Sequence, residues 1–121
     1  MLFRSTLGHA LETYFLNTET RLLHGEAIAI GMIAESFLSY KHNKISENEL
    51  KKIQNYIISI FGKFLLNDTQ IDEIIPLTIQ DKKNSHGKVK FSLLNGIGNC
   101  DYDIEINLQY MKEALKYYAE L

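Results

Sequence analysis

A mainly α fold is predicted for this chain: a multi-helical domain with one β-hairpin near its C-terminus. Three observations predict it. Apolar residues recur at three- and four-residue spacing from Leu7 to Ile79, the period shortens to two after Lys88, and the cluster Asn95-Gly96-Ile97-Gly98 supplies turn residues inside that second region.

The elements follow in order. Ser5 or Thr6 can cap a first helix running to about Leu16, with Leu7, Ala10, Leu11, Tyr14 and Phe15 as its apolar stripe and His9 and Glu12 together on one face. Asn17 to Arg21 reads as a polar connector. The stretch LLHGEAIAIGMIAES, beginning at Leu22, opens a second helix that runs from about Gly25 to Lys41. Ala27, Ile30, Gly31, Ala34 and Phe37/Leu38 recur at helical spacing, and the small ones let a neighbouring helix come close, so this is the expected central, mostly buried helix.

Ser46 followed by Glu49 is a capping-box signature for a third helix. Its expected buried face is Leu50, Ile53, Tyr56/Ile57 and Ile60/Phe61, and Gly62 is its expected terminator. Asn67-Asp68-Thr69 offers a cap for a short helix, and Pro76 predicts a break near Ile75 with a second short helix from Pro76 to about Lys83. Val89, Phe91 and Leu93 alternate against Lys88, Lys90 and Ser92, and Cys100 to Ile106 alternates again, which predicts the hairpin. Asn107 can cap a last helix that turns Leu108, Met111, Ala114/Leu115 and Tyr118 to the core.

Composition narrows the function classes. A chain of 121 residues suits one domain, able to bury about two-thirds of its unfolded surface. The net charge of −2 and pI near 6.1 argue against a nucleic-acid partner. No apolar run approaches a membrane span, and Met1-Leu2-Phe3-Arg4 does not open a signal peptide. The single cysteine, Cys100, cannot form an internal disulfide, which favours a reducing compartment, so a cytoplasmic location is expected.

Of four histidines, His9 and His24 fall in or beside apolar helical segments, whereas His42 and His86 sit among Lys, Asn and Ser and are expected to be solvated. His24 before a helix suits a cap or a satisfied core residue as well as a ligand. His9 and His24 with Glu12 and Glu26 could supply part of a zinc shell, but a catalytic zinc takes three protein ligands and no recognisable spacing supplies the third. Asp81-Lys82-Lys83-Asn84 with His86-Gly87-Lys88 is a compact cationic group. Its lysines suit a helix C-terminus, where they complement the dipole, and equally a phosphate or carboxylate contact. No Gly-rich phosphate loop, nucleophile elbow or Cys-His signature is present.

Three segments, LGHALE from Leu7, LLHGEAIAIGM from Leu22 and DKKNSHGKVKFSLLNGIG from Asp81, resemble in order and spacing the C-terminal helical domain of 3-dehydroquinate synthase. The resemblance covers nearly the whole chain. Relatives such as 2-deoxy-scyllo-inosose synthase share the first two motifs, and the DKK segment favours dehydroquinate synthase. The resemblance implies a carbon-oxygen lyase of the shikimate pathway, converting 3-deoxy-arabino-heptulosonate 7-phosphate, a sugar-acid phosphate, to 3-dehydroquinate with bound NAD and zinc or another divalent metal. It implies that His24 is a metal ligand, that His9 contacts substrate and relays its proton, and that Lys82 or Lys83 contacts substrate.

Two departures accompany the likeness. Where the family's first histidine motif has Asn, Gly and a metal-binding His, this chain has Leu2, Arg4 and Ser5. Residues 1–121 are expected to form a single helical domain, with the family's N-terminal NAD-binding domain, and the glutamate it gives to the metal, absent. One imidazole of three ligands cannot define a tetrahedral site, so the chain alone is expected to be inactive and to bind zinc and NAD poorly or not at all. The competing reading is a non-catalytic helical module derived from that family, serving assembly, for instance as a homodimer through exposed apolar surface.

Overall fold

In a computed structural model, which describes residues 6–16, 24–80, 88–94, 96 and 100–121, the elements run α1 (Thr6–Leu16), α2 (His24–Lys41), α3 (Glu47–Phe61), α4 (Asp68–Gln80), β1 (Lys88–Leu94), β2 (Cys100–Asn107) and α5 (Leu108–Ala119). The predicted mainly α domain with one C-terminal hairpin is the fold observed. Among the described residues no helix is long and apolar enough to cross a membrane.

Everything packs around α2. It lies against α1, α3, α5 and β1, and α4 closes the other sides of α1 and α5. Burial on α2 goes beyond the expected stripe: Ala29, Ile33, Glu35, Ser36 and Ser39 are buried along with Ala27, Ile30, Ala34, Phe37 and Leu38. A helix surrounded on all sides has to satisfy its polar groups locally. Ser36 Oγ donates to the Met32 carbonyl at 2.7 Å and Ser39 Oγ to the Glu35 carbonyl at 3.3 Å.

The caps read from the sequence are present. Ser46 Oγ accepts from the Glu49 N–H at 3.1 Å and Glu49 Oε1 accepts from the Ser46 N–H at 2.9 Å, a reciprocal box that starts α3. Gly62 ends that helix in the left-handed region, φ 82°. Asn67 and Gln70 form a second reciprocal pair at the start of α4 (2.8 and 3.0 Å), and Asn107 Oδ1 accepts from the Tyr110 N–H at 3.0 Å at the start of α5.

Three expectations are corrected. Pro76 does not break α4, which is continuous from Asp68 to Gln80. The missing N–H removes the bond to the Asp72 carbonyl, but Ile71, Ile74, Ile75 and Thr78 are buried on both sides of the proline, and that packing holds the helix through it. On α3 the buried face is Leu50, Gln54 and Ile57, while Tyr56, Ile60 and Phe61 are exposed. The face is narrower because Gln54, not an aromatic, meets α5: the Tyr117 hydroxyl donates to Gln54 Oε1. His42, expected in solvent, is half-buried; its Nδ1–H donates to the Leu38 carbonyl at 2.8 Å, and its ring meets Tyr110 edge-on at 5.4 Å.

The hairpin is antiparallel, with Val89 opposite Ile106 and Phe91 opposite Ile104. The register then shifts so that Leu93 faces Asp101, which leaves Tyr102 and Asp103 opposite Ser92. The alternation of the second strand is therefore interrupted at its middle. Leu93 and Ile106 are fully buried, and the Gly96 N–H donates to the Lys44 carbonyl at 2.8 Å, tying the tip of the hairpin to the α2–α3 connection.

Candidate functional site

The segments that carry the candidate residues are the first turn of α1, the amino end of α2 and the basic stretch after α4. The first turn of an α-helix leaves its backbone N–H groups to partners outside the helix ladder. One of them, on Leu7, donates to Glu35 Oε2 at 3.1 Å, twenty-eight residues away in α2. Leu7 is fully buried and Glu35 is 2% exposed. That contact sets the beginning of α1 on the flank of α2. His9 follows between Gly8 and Ala10, both buried, and is itself exposed, so its imidazole stands out of the core into solvent.

His24 is the first residue of α2, and Glu26 lies in the first turn, where a carboxylate complements the positive end of the helix. Gly25 and Glu26 are half-buried. The ring of Phe61, at the end of α3, comes to 3.4 Å from where a Cβ on Gly25 would stand, so α3 flanks the backbone beside His24. The His24 side chain, Lys82 and Lys83 lie outside what the structure describes. Of the four residues singled out from the sequence, His9 is the one whose surroundings are on view.

What these groups can do is limited by their number. An exposed imidazole can exchange a proton with a bound molecule near neutral pH. Among the described residues no group of three or more His, Cys, Asp or Glu side chains could hold a metal ion. The described donors do not complete a zinc site.

Glu35 was not singled out by the sequence reading. A glutamate in a helix ordinarily belongs to a solvated face. The available signal was its company: it is an acid set between Ala34 and Phe37/Leu38 in a helix of small and apolar residues.

The sequence matches the family model described as 3-dehydroquinate synthase C-terminal over residues 3–84. It is 30% identical over 118 residues to a 3-dehydroquinate synthase of Parabacteroides distasonis, an alignment covering 98% of this chain and 33% of that protein. It is 34% identical over 114 residues to one of Dictyoglomus thermophilum, covering 94% of this chain and 31% of the relative. The chain thus spans about a third of the length of the curated relatives it matches. The fold is similar to that of 2-deoxy-scyllo-inosose synthase complexed with carbaglucose-6-phosphate, NAD+ and Co2+ (TM-score 0.74, 24% identity, 93% of this chain and 31% of that one). It is also similar to 2-epi-5-epi-valiolone synthase from Streptomyces hygroscopicus with NAD+ and Zn2+ bound (TM-score 0.72, 24% identity, 94% and 32%). Those two likenesses speak for the fold. With a model match over most of its length and synthase relatives aligned along nearly all of it, the chain belongs to the 3-dehydroquinate synthase C-terminal family.

Proposed function

We propose that this chain is the metal- and substrate-binding wall of a 3-dehydroquinate synthase, a lyase acting on 3-deoxy-arabino-heptulosonate 7-phosphate in the shikimate pathway. The observation that carries the reading is the position of His24-Gly25-Glu26 at the opening of the central helix, inside the family match. In this reading His24 is a metal ligand, His9 is the exposed imidazole that takes and returns a substrate proton, and Lys82 or Lys83 meets the anionic groups of the substrate. The related synthases bound to NAD+ with Co2+ or Zn2+ support NAD and a divalent metal as the cofactors. His24 would be this chain's ligand to the metal, which would supply Lewis acidity towards a substrate hydroxyl, and NAD would supply a hydride acceptor.

In this reading residues 1–121 supply one of the three metal ligands, because Ser5 stands where the motif has a histidine and the family's glutamate belongs to its nucleotide-binding domain. In this reading turnover takes a nucleotide-binding domain beyond residues 1–121. Phosphate release, measured with substrate, NAD and zinc, is expected to stay at background for the 121-residue chain alone. A chimera joining the chain, carrying Ser5→His, to the nucleotide-binding part of the P. distasonis synthase is expected to turn over. His24→Ala in that chimera should lower the rate on the order of a hundredfold or more. Turnover by the chain alone would refute the incompleteness; a folded, NAD-binding chimera that releases no phosphate would refute the function.

A further inference from the structure

We propose that Glu35 is a positioning residue for His9: its buried carboxylate fixes the first turn of α1 on α2, and with it the place from which the imidazole is presented. That His9 acts on substrate rests on the function proposed above; that Glu35 fixes its place does not.

Taking a carboxylate out of water is unfavourable unless donors and positive charge compensate it, and the amino end of a helix offers both. Glu35, 2% exposed, meets that end directly, since its Oε2 accepts the Leu7 N–H at 3.1 Å. The carboxylate stands on the most enclosed helix of the fold, between Ala34 and Ser36, both buried, and Ser39 Oγ donates to its backbone carbonyl. It is a fixed point.

His9 is two residues beyond Leu7, in the same turn, and exposed. The position of an exposed side chain follows in the first place from its backbone. The far end of α1 has its own tie: the Tyr14 hydroxyl donates to Glu73 Oε1 at 2.6 Å, joining α1 to α4. Loss of the Glu35 contact should therefore release the first turn and leave the last one in place.

The experiment uses the 121-residue chain without substrate, NAD or metal, and compares Glu35→Leu with Glu35→Gln by amide exchange and ¹⁵N relaxation. In Glu35→Leu the Leu7 amide should exchange about ten- to a hundredfold faster. The order parameters of Leu7, Gly8 and His9 should fall, and the His9 side-chain couplings should move to rotamer-averaged values, while Tyr14, Phe15 and α5 keep wild-type behaviour. Glu35→Gln keeps an acceptor oxygen and should restore the wild-type pattern. Where Glu35→Leu does not fold, Glu35→Asp, which retracts the oxygens by one methylene, carries the same readout. A uniform loosening of all helices, an unchanged first turn, or a Gln variant as damaged as the Leu variant overturns the proposal. Since no ligand is present, these outcomes are independent of the phosphate-release test.

Discussion

At Gly25 an added methyl group would meet Phe61 Cε1 at 3.4 Å, ordinary van der Waals contact with an exposed ring that can yield. The backbone there is not left-handed, in contrast to Gly62 (φ 82°) and Gly96 (φ 77°). Gly25 and Gly62 therefore make opposite demands. Gly25→Ala is expected to raise the melting temperature, by removing chain entropy from the unfolded state and adding helix propensity, a gain of about 0.5–1 kcal/mol. Gly62→Ala has open space around the new methyl but forces a left-handed backbone, and should cost about 1–2 kcal/mol. Thermal melts of the two variants check both signs. A destabilised Gly25→Ala would mean that the close approach of Phe61 is rigid.

Among the elements, α4 is where local chemistry and packing pull apart. Pro76 sits exposed in the middle of a continuous helix, and restoring the N–H with Pro76→Ala should close the bond to the Asp72 carbonyl. The expected gain is roughly 1–3 kcal/mol, the helix-interior penalty of proline less what packing has already absorbed, measured as a shift of the urea midpoint. A lower midpoint would mean that the ring itself fills the surface cleft it shares with Leu108 and Lys112. The same contrast explains what could be read from the sequence. Signals that act within a few residues were legible: the Ser46–Glu49 box, the Asn107 cap, the Gly62 stop and the period-two strands all became the elements they indicated. Signals settled by distant partners were not. Tyr56 and Ile60 have the right spacing for a buried face but stay exposed, His42 finds Leu38 and Tyr110, and the bulge opposite Ser92 has no sequence mark. At the candidate site, motifs single out His9 and His24, whereas nothing local marks Glu35, because only the arrival of α1 makes a buried carboxylate useful.

At the scale of the whole molecule, three tyrosine hydroxyls among the described residues act as joints between elements. Tyr14 ties α1 to Glu73 of α4, Tyr117 ties α5 to Gln54 of α3, and the Tyr118 hydroxyl accepts the Phe64 N–H at 2.9 Å, tying α5 to the α3–α4 connection. All three have pKa values raised above the usual 10.0. For Tyr14 the first cause is the hydrogen bond it donates to Glu73, followed by burial and the Glu73 charge. For Tyr117 it is burial, then the charge of Glu47; for Tyr118 it is burial, partly offset by the Phe64 N–H. A raised pKa means that the folded protein keeps protons which the unfolded chain releases, so stability falls as pH rises. The contribution is complete below about pH 10 and is lost as pH climbs through the unfolded value and on past the folded one. Urea midpoints are thus expected to hold steady up to about pH 9.5 and decline beyond it. Tyr118, 1% exposed, gives the sharpest test. Tyr118→Phe leaves the Phe64 N–H without its acceptor and should cost about 1 kcal/mol at neutral pH. It also removes a titrating group that contributes at most about 1.4 kcal/mol per pH unit to the alkaline slope. The variant should therefore begin below the wild type and lose stability more slowly, so that the two curves converge above pH 10. Parallel curves would show that the alkaline loss arises elsewhere and that Tyr118 titrates alike in the folded and unfolded states.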